Sequence, residues 1–156
     1  MSASALPGAP GTYLLVLRGV TEARLPVGAL GELVVSPGFY LYVGSAFGPG
    51  GLRARVGRHI AGQGALRWHI DFLRQVAQPV EAWCIPGPQR CEHGWAQSLV
   101  AAAQCRVPLA RFGASDCRCP THLFFMAQRP DPAWFLERLQ MGGQSTGEMR
   151  VFSALD

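Results

Sequence analysis

The residues best equipped for chemistry in this 156-residue chain are two phenols, an arginine–histidine pair and a carboxylate. Tyr13 sits in the run Thr12-Tyr13-Leu14-Leu15-Val16-Leu17 and Tyr42 in Phe39-Tyr40-Leu41-Tyr42-Val43-Gly44. Both runs are β-branched, aromatic and aliphatic without helical spacing, the signature of strands. On adjacent strands cross-strand neighbours lie about 5 Å apart, so the two hydroxyls could orient or deprotonate one water. A phenol with a pKa near ~10 is a poor base unless a cation or metal lowers it. Arg55 could do so and could also grip a phosphate. His59, one helical turn on, would serve as a second hydrogen-bond donor or a proton relay. Glu92 would be the sole carboxylate anchor of one Mg2+ or Mn2+, with waters and phosphate oxygens completing the octahedron. Together these groups could activate a water and stabilise charge on the non-bridging and leaving oxygens, which is what phosphodiester hydrolysis requires.

A second constellation is Cys117-Arg118-Cys119-Pro120-Thr121-His122. Cys-x-Cys-x2-His offers three soft ligands, and Cys91 or His93 could complete a tetrahedral structural Zn2+ site. The spacing is not that of a standard finger, so buried thiols beside a packing histidine are the competing reading. Cys84 and Cys105 lie in apolar stretches and read as core residues.

The elements that must position these groups follow from pattern. Strands are expected at Thr12–Leu17, Glu32–Val35, Phe39–Gly44, about 80–84 and Leu123–Met126, and Pro26-Val27-Gly28 and Ser36-Pro37-Gly38 read as turns. Gly48-Pro49-Gly50-Gly51 breaks the chain before a helix over Leu52–Ile60, with Leu52, Val56 and Ile60 on one face and Arg55 and His59 on another. Further helices are expected at Trp68–Val76, Glu92–Gln104 and Ala133–Leu139. The last has Asp131 as N-cap and Pro132 at its first position. The order predicts an α+β fold, a small, mainly antiparallel central sheet flanked by helices. Residues 1–10 read as a loose leader, 11–140 as one domain and 141–156 as a flexible tail.

Composition narrows the partners. Apolar residues make up 49% and charged residues 15% of the chain, the latter well below the usual ~25%, which excludes charged intrinsic disorder. No apolar run approaches the ~20 residues of a membrane-spanning helix. No basic residue precedes an apolar stretch at the N-terminus, so the expected address is the cytoplasm, at the nucleoid in a bacterium. Five cysteines, an odd number, then argue for thiols in a reducing compartment rather than a disulfide framework. The net charge is +4 and all fourteen basic residues are Arg. An acidic polymer is therefore admissible as partner. Arg53, Arg58, Arg67 and Arg111 are candidates for backbone phosphates.

The motifs also carry a resemblance. Gly11-Thr12-Tyr13 and Tyr42-Val43-Gly44, followed by a Gly-rich turn, Arg55-x-x-x-His59 and a later helical Glu92, resemble in order and spacing the GIY-YIG nucleases. With Gly44-Ser45-Ala46, Trp68-His69-Ile70-Asp71, Cys91-Glu92-His93 and Ser115-Asp116-Cys117, the chain is similar to a subgroup catalogued as a domain of unknown function. The resemblance spans about residues 11–126. It implies a motif tyrosine (Tyr13 or Tyr42) as general base, Arg55 as electrophile and Glu92 as metal ligand. Gly44, Ser45 and His69 join the candidate substrate contacts, with His69 also readable as packing and Asp71 as a structural acceptor. Thr12 stands where the family carries an aliphatic residue, and the gap between the tyrosine motifs is longer than in compact members. The family's ordering Asn has no counterpart, since the chain contains no Asn; only Ser115 or Asp116 could stand in.

The expected activity is metal-dependent endonucleolytic hydrolysis of DNA, one strand per engagement, in repair or processing, with RNA left open as substrate. So small a domain would need a homodimer or a larger repair-type partner for selectivity. The alternative is a catalytically silent module that binds nucleic acid or protein on the same fold.

Overall fold

The computed structural model describes residues 5–62, 66–115, 117–144 and 146–154. It is α+β: a five-stranded antiparallel sheet, in the order β6-β4-β1-β5-β7, with four helices. The strands are β1 (Gly11–Gly19), β4 (Gly38–Ala46), β5 (Ala77–Pro86), β6 (Leu123–Met126) and β7 (Arg150–Ser153). The central strand β1 is covered on both faces, which is why it reads as an unbroken apolar run rather than an alternation. Tyr13, Leu15 and Leu17 pack on one side with Leu52 and Val56 of α1 (Gly51–Ala61) and Ile70 and Leu73 of α2 (His69–Leu73). Leu14 and Val16 pack on the other with Trp95 and Leu99 of α3 (Glu92–Val100) and Phe135 and Leu139 of α4 (Pro132–Met141). The β1–β5 register shifts between Val16 and Leu17, where Pro79 enters the ladder. A proline without an N–H is tolerated at such an irregularity.

Several expectations are corrected. Glu32–Val35 is β3, but it lies outside the central sheet and pairs with β2 (Ala23–Pro26) in a separate two-stranded ribbon. Within the expected tail, Arg150–Ser153 is an edge strand on β5, in the register Glu81↔Ser153 to Cys84↔Arg150. The leader is anchored from Leu6 on, and Leu6 is fully buried. The Ala9 and Pro7 carbonyls accept the amides of Leu52 and Arg53, and Arg53 Nε donates to the Leu6 carbonyl at 3.0 Å. Residues ahead of α1 thus satisfy its first orphan N–H groups. α2 is shorter than expected, and α3 ends at Val100 rather than Gln104. The α4 cap is as expected, with Asp131 accepting from the Ala133 amide. No described helix is long and apolar enough to cross a membrane.

Candidate active site

β1, β4, α1 and α3 deliver their marked residues to one cleft of about 410 Å3, lined by Tyr13, Tyr42, Gly44, Ser45, Arg55, His59 and Glu92. Tyr13 does not face Tyr42 directly. The register pairs Tyr13 with Gly44 and Tyr42 with Leu15, so the phenols are diagonal neighbours with ring centroids 6.5 Å apart. Both lean to the α1 face because strand residues two apart share a side.

Gly44 makes that approach feasible. A Cβ there would collide with the hydroxyl and ring of Tyr13, which lies across the glycine. Gly44→Ala is therefore expected to displace Tyr13 and cost about 1–3 kcal/mol, as overpacking does. A urea midpoint measurement checks it, and an unchanged midpoint would contradict it.

Tyr13 Oη and His59 Nε2 share a hydrogen bond of 2.8 Å inside the protein, and His59 Nδ1 has no partner among the described residues. Burial, then the cations Arg74 and Arg55, lower the His59 pKa to about 3, so it is held neutral. Burial also raises the Tyr13 phenol well above its ordinary value, with Tyr42 adding to the rise and Arg55 opposing it. Tyr42 is raised for the same first reason, then by Glu92. The expected lowering of a phenol by Arg55 is thus present but outweighed by desolvation.

The His59 shift has a thermodynamic consequence. Its folded pKa lies below the ordinary ~6.5 of an unfolded histidine, so between about pH 3 and 6.5 the unfolded chain binds the extra proton. Stability then rises with pH across that window, by up to ~1.4 kcal/mol per pH unit. His69 is also lowered by burial and acts with the same sign. Chemical denaturation from pH 4 to 7 should show this slope, reduced in His59→Gln.

The arginines of α1 divide by partner. Arg53 is exposed, absent from the cleft lining and tied to the leader. Arg58 is bidentate on Asp71, Nη1 to Oδ1 at 2.9 Å and Nη2 to Oδ2 at 3.1 Å. Neither lines this cleft. Arg55 remains there, its Nη1 donating to the Ser45 carbonyl at 3.4 Å and its guanidinium 4.4 Å from the Trp68 ring centroid. Asp71 is the structural acceptor anticipated from sequence. It takes Arg74 Nη2 at 2.8 Å and the amides of Arg67 and Trp68, each at 2.8 Å. These hydrogen bonds outweigh its desolvation and hold its carboxyl well below the usual range. The resulting chain, Asp71 to Arg58 to Trp68 to Arg55, sets the position of the cleft cation, and Trp68 stacks 4.3 Å from Arg58 on the way.

Glu92, in the first turn of α3, is the only carboxylate among the described residues that lines the cleft. Ser45 Oγ donates to its Oε1 at 3.1 Å. His93 Nε2 stands 3.9 Å from Oε1, and His122 Nδ1 3.8 Å from Oε2. One carboxylate and one hydroxyl oxygen stand together here, with two imidazole nitrogens 3.8–3.9 Å from the carboxylate.

The remaining candidates separate. His69 Nδ1 accepts the Gly113 amide at 2.8 Å and its ring packs on Phe112, so it fixes the 112–113 turn. His69 and exposed Ser115 line a smaller adjoining depression together with Tyr42 and Arg67. Asp116 lies outside the described residues. Of the suggested zinc ligands, Cys117, Cys119 and His122 come together with His93 into a group able to hold a metal ion. Cys91 is not in that group: it is the N-cap residue of α3, and its Sγ donates to the Gln89 carbonyl. The cleft also draws in Trp68, Arg90 and Gly113. Trp68 was visible in the sequence beside Arg67, whereas nothing local marked Arg90 or Gly113.

No curated protein and no solved structure matches the chain. A family model, described as domain of unknown function DUF123, matches residues 12–142, from β1 to the end of α4 and through every residue of the cleft. On that match the chain belongs to the DUF123 family.

Proposed function

We propose that the cleft is the active site of a metal-dependent phosphodiesterase of the GIY-YIG type, cutting one strand of DNA per engagement. The observation carrying this reading is the convergence of Tyr13, Tyr42, Arg55 and Glu92, from four separate elements, on one open cleft. In this reading Arg55 grips the scissile phosphate and stabilises the charge growing on its oxygens. Tyr13 Oη is fixed by its hydrogen bond to His59 Nε2. Burial keeps His59 neutral and Tyr13 protonated, so the pair is assigned to position the attacking water rather than to deprotonate it. Tyr42, whose hydroxyl has no hydrogen-bond partner among the described residues, is assigned to hold the same water. Glu92, steadied by Ser45, would hold one Mg2+ or Mn2+. When bound, the ion would supply Lewis-acid stabilisation of the leaving oxygen and a field that favours ionised oxygens nearby. A single ion and a single domain account for one cut per visit; double-strand breaks would need a second copy or a second visit.

One observation favours the non-catalytic alternative. Burial raises both phenols, so the cleft as it stands offers a phosphate hydroxyl donors rather than a ready base. Labelled single-stranded, duplex and branched DNA, and RNA, incubated with Mg2+, Mn2+ or EDTA, decide between them. Metal-dependent cutting supports the nuclease. Salt-sensitive binding with no cutting in any metal would replace it with a binding module.

A further inference from the structure

Gly113, Cys117 and His122 also line the cleft, and the cysteine and histidine among them carry chemistry that hydrolysis does not use. His93, Cys117, Cys119 and His122 each present one ligand atom, and the four atoms lie within 4.8 Å of one another. Zinc binds sulfur at about 2.3 Å and imidazole nitrogen at about 2.0–2.1 Å, which sets tetrahedral ligand–ligand edges of about 3.3–3.8 Å. Cys117 Sγ and His122 Nε2 already stand 3.4 Å apart. The widest edge needs to close by only about 1 Å to meet those bonds. Two thiols with two imidazoles suit zinc, unlike the oxygen donors at Glu92.

The surroundings hold these ligands in place. Arg111 is the only non-glycine among the described residues with a positive φ, 67°. That backbone directs its guanidinium onto the cysteine loop, with Nη1 on the Cys119 carbonyl at 2.7 Å and Nη2 on the Cys117 carbonyl at 2.6 Å. The Cys119 amide donates to Cys117 Sγ at 3.4 Å. His122 is held through its backbone, its amide to the Phe112 carbonyl at 2.8 Å and its carbonyl to the Val43 amide at 2.9 Å. With Nε2 turned to Cys117, its Nδ1 faces Glu92. A carboxylate behind a ligating histidine is the usual outer-shell arrangement of a zinc site.

We propose that His93, Cys117, Cys119 and His122 bind one Zn2+ in a closed tetrahedral site that clasps the 111–122 loop to the first turn of α3. Four protein ligands leave no open position, so this ion is structural, and His122 is shared between it and the Glu92 side of the cleft. The inference does not rest on the nuclease reading, because it is measured without any nucleic acid.

The test uses the full chain purified under reducing conditions, with metal analysis, zinc competition against a chromophoric chelator, and cobalt substitution. One zinc per chain is expected, and the cobalt form should show the intense visible bands of tetrahedral thiolate coordination. Losing an outer-shell partner costs about 10–100-fold in metal affinity, so losing a ligand should cost at least the upper figure. His93→Ala should therefore weaken zinc binding at least ~100-fold. Its side chain is 59% exposed, so the substitution spares the core. Cys91→Ser should bind zinc as the unsubstituted chain does. Cys117→Ser should lose the thiolate bands, and if it fails to fold, His93→Ala still decides. Absence of zinc, an octahedral cobalt spectrum, undiminished affinity in His93→Ala, or loss of zinc in Cys91→Ser would each overturn the assignment.

Discussion

Arg55→Ala is expected to slow metal-dependent cleavage by about 10²–10³-fold, equivalent to ~2.7–4 kcal/mol of transition-state stabilisation, with little change in stability. Arg55 is the α1 arginine that lines the main cleft without being committed to a carboxylate. Arg53 holds the leader and Arg58 is bound to Asp71. Its loss removes positive charge from the place where negative charge would grow, and otherwise gives up only a long hydrogen bond to the Ser45 carbonyl and the stack on Trp68. Glu92→Gln should show a loss of similar size by a different route. The amide keeps an acceptor for Ser45 but gives up the charge that attracts the ion. Raising Mn2+ should therefore restore part of the activity of Glu92→Gln and none of that of Arg55→Ala. Circular dichroism and a denaturation midpoint establish that both variants are folded. Wild-type cutting rates in either variant would remove the assigned roles.

The largest stability loss is expected at Asp71. Its carboxylate is fully buried and accepts from two guanidiniums and two backbone amides. Asp71→Ala would take the carboxylate away from Arg74, whose side chain is 6% exposed, and from Arg58, at 21%. Breaking a buried pair in this way costs about 3–5 kcal/mol, because the remaining charge is left uncompensated. Domains are stable by only about 5–15 kcal/mol, so urea unfolding at pH 7 should show a large fall in midpoint. The pH dependence carries a definite sign. The folded Asp71 pKa lies below the ordinary ~3.9 of a free aspartate. Its stabilisation is therefore present above ~3.9 and is lost as pH falls from there toward the folded value. The Asp71→Ala deficit should accordingly be full at neutral pH and shrink in acid. The same variant should lower cleavage, because Arg58 and Trp68 would no longer brace Arg55.

What sequence alone settled and what needed the tertiary structure divide along a physical line. Local pattern was enough for β1, β4, β6, α1 and α4, since strand runs, a glycine-rich break and an Asp-Pro cap act within a few residues of themselves. It was the motif resemblance that singled out Tyr13, Tyr42, Arg55, His59 and Glu92 as one set, and all five line the same cleft. The edge strand β7 was not legible, because a four-residue strand gains its hydrogen bonds from β5, whose paired residues lie 66 to 72 positions earlier in the chain (Cys84↔Arg150 to Glu81↔Ser153). Nor could the sequence show that Arg58 meets a carboxylate while Arg55 does not. Which guanidinium meets a carboxylate depends on where α2 docks Asp71. The choice of His93 over Cys91 has a similar origin. Helical positions two apart point about 200° apart at 3.6 residues per turn, so once α3 is docked His93, and not the N-cap Cys91, reaches Cys117 and His122. Residue types and spacing determined which chemistry was available. Packing decided which copy of each residue performs it, because desolvation and partnering are properties of the assembled interior.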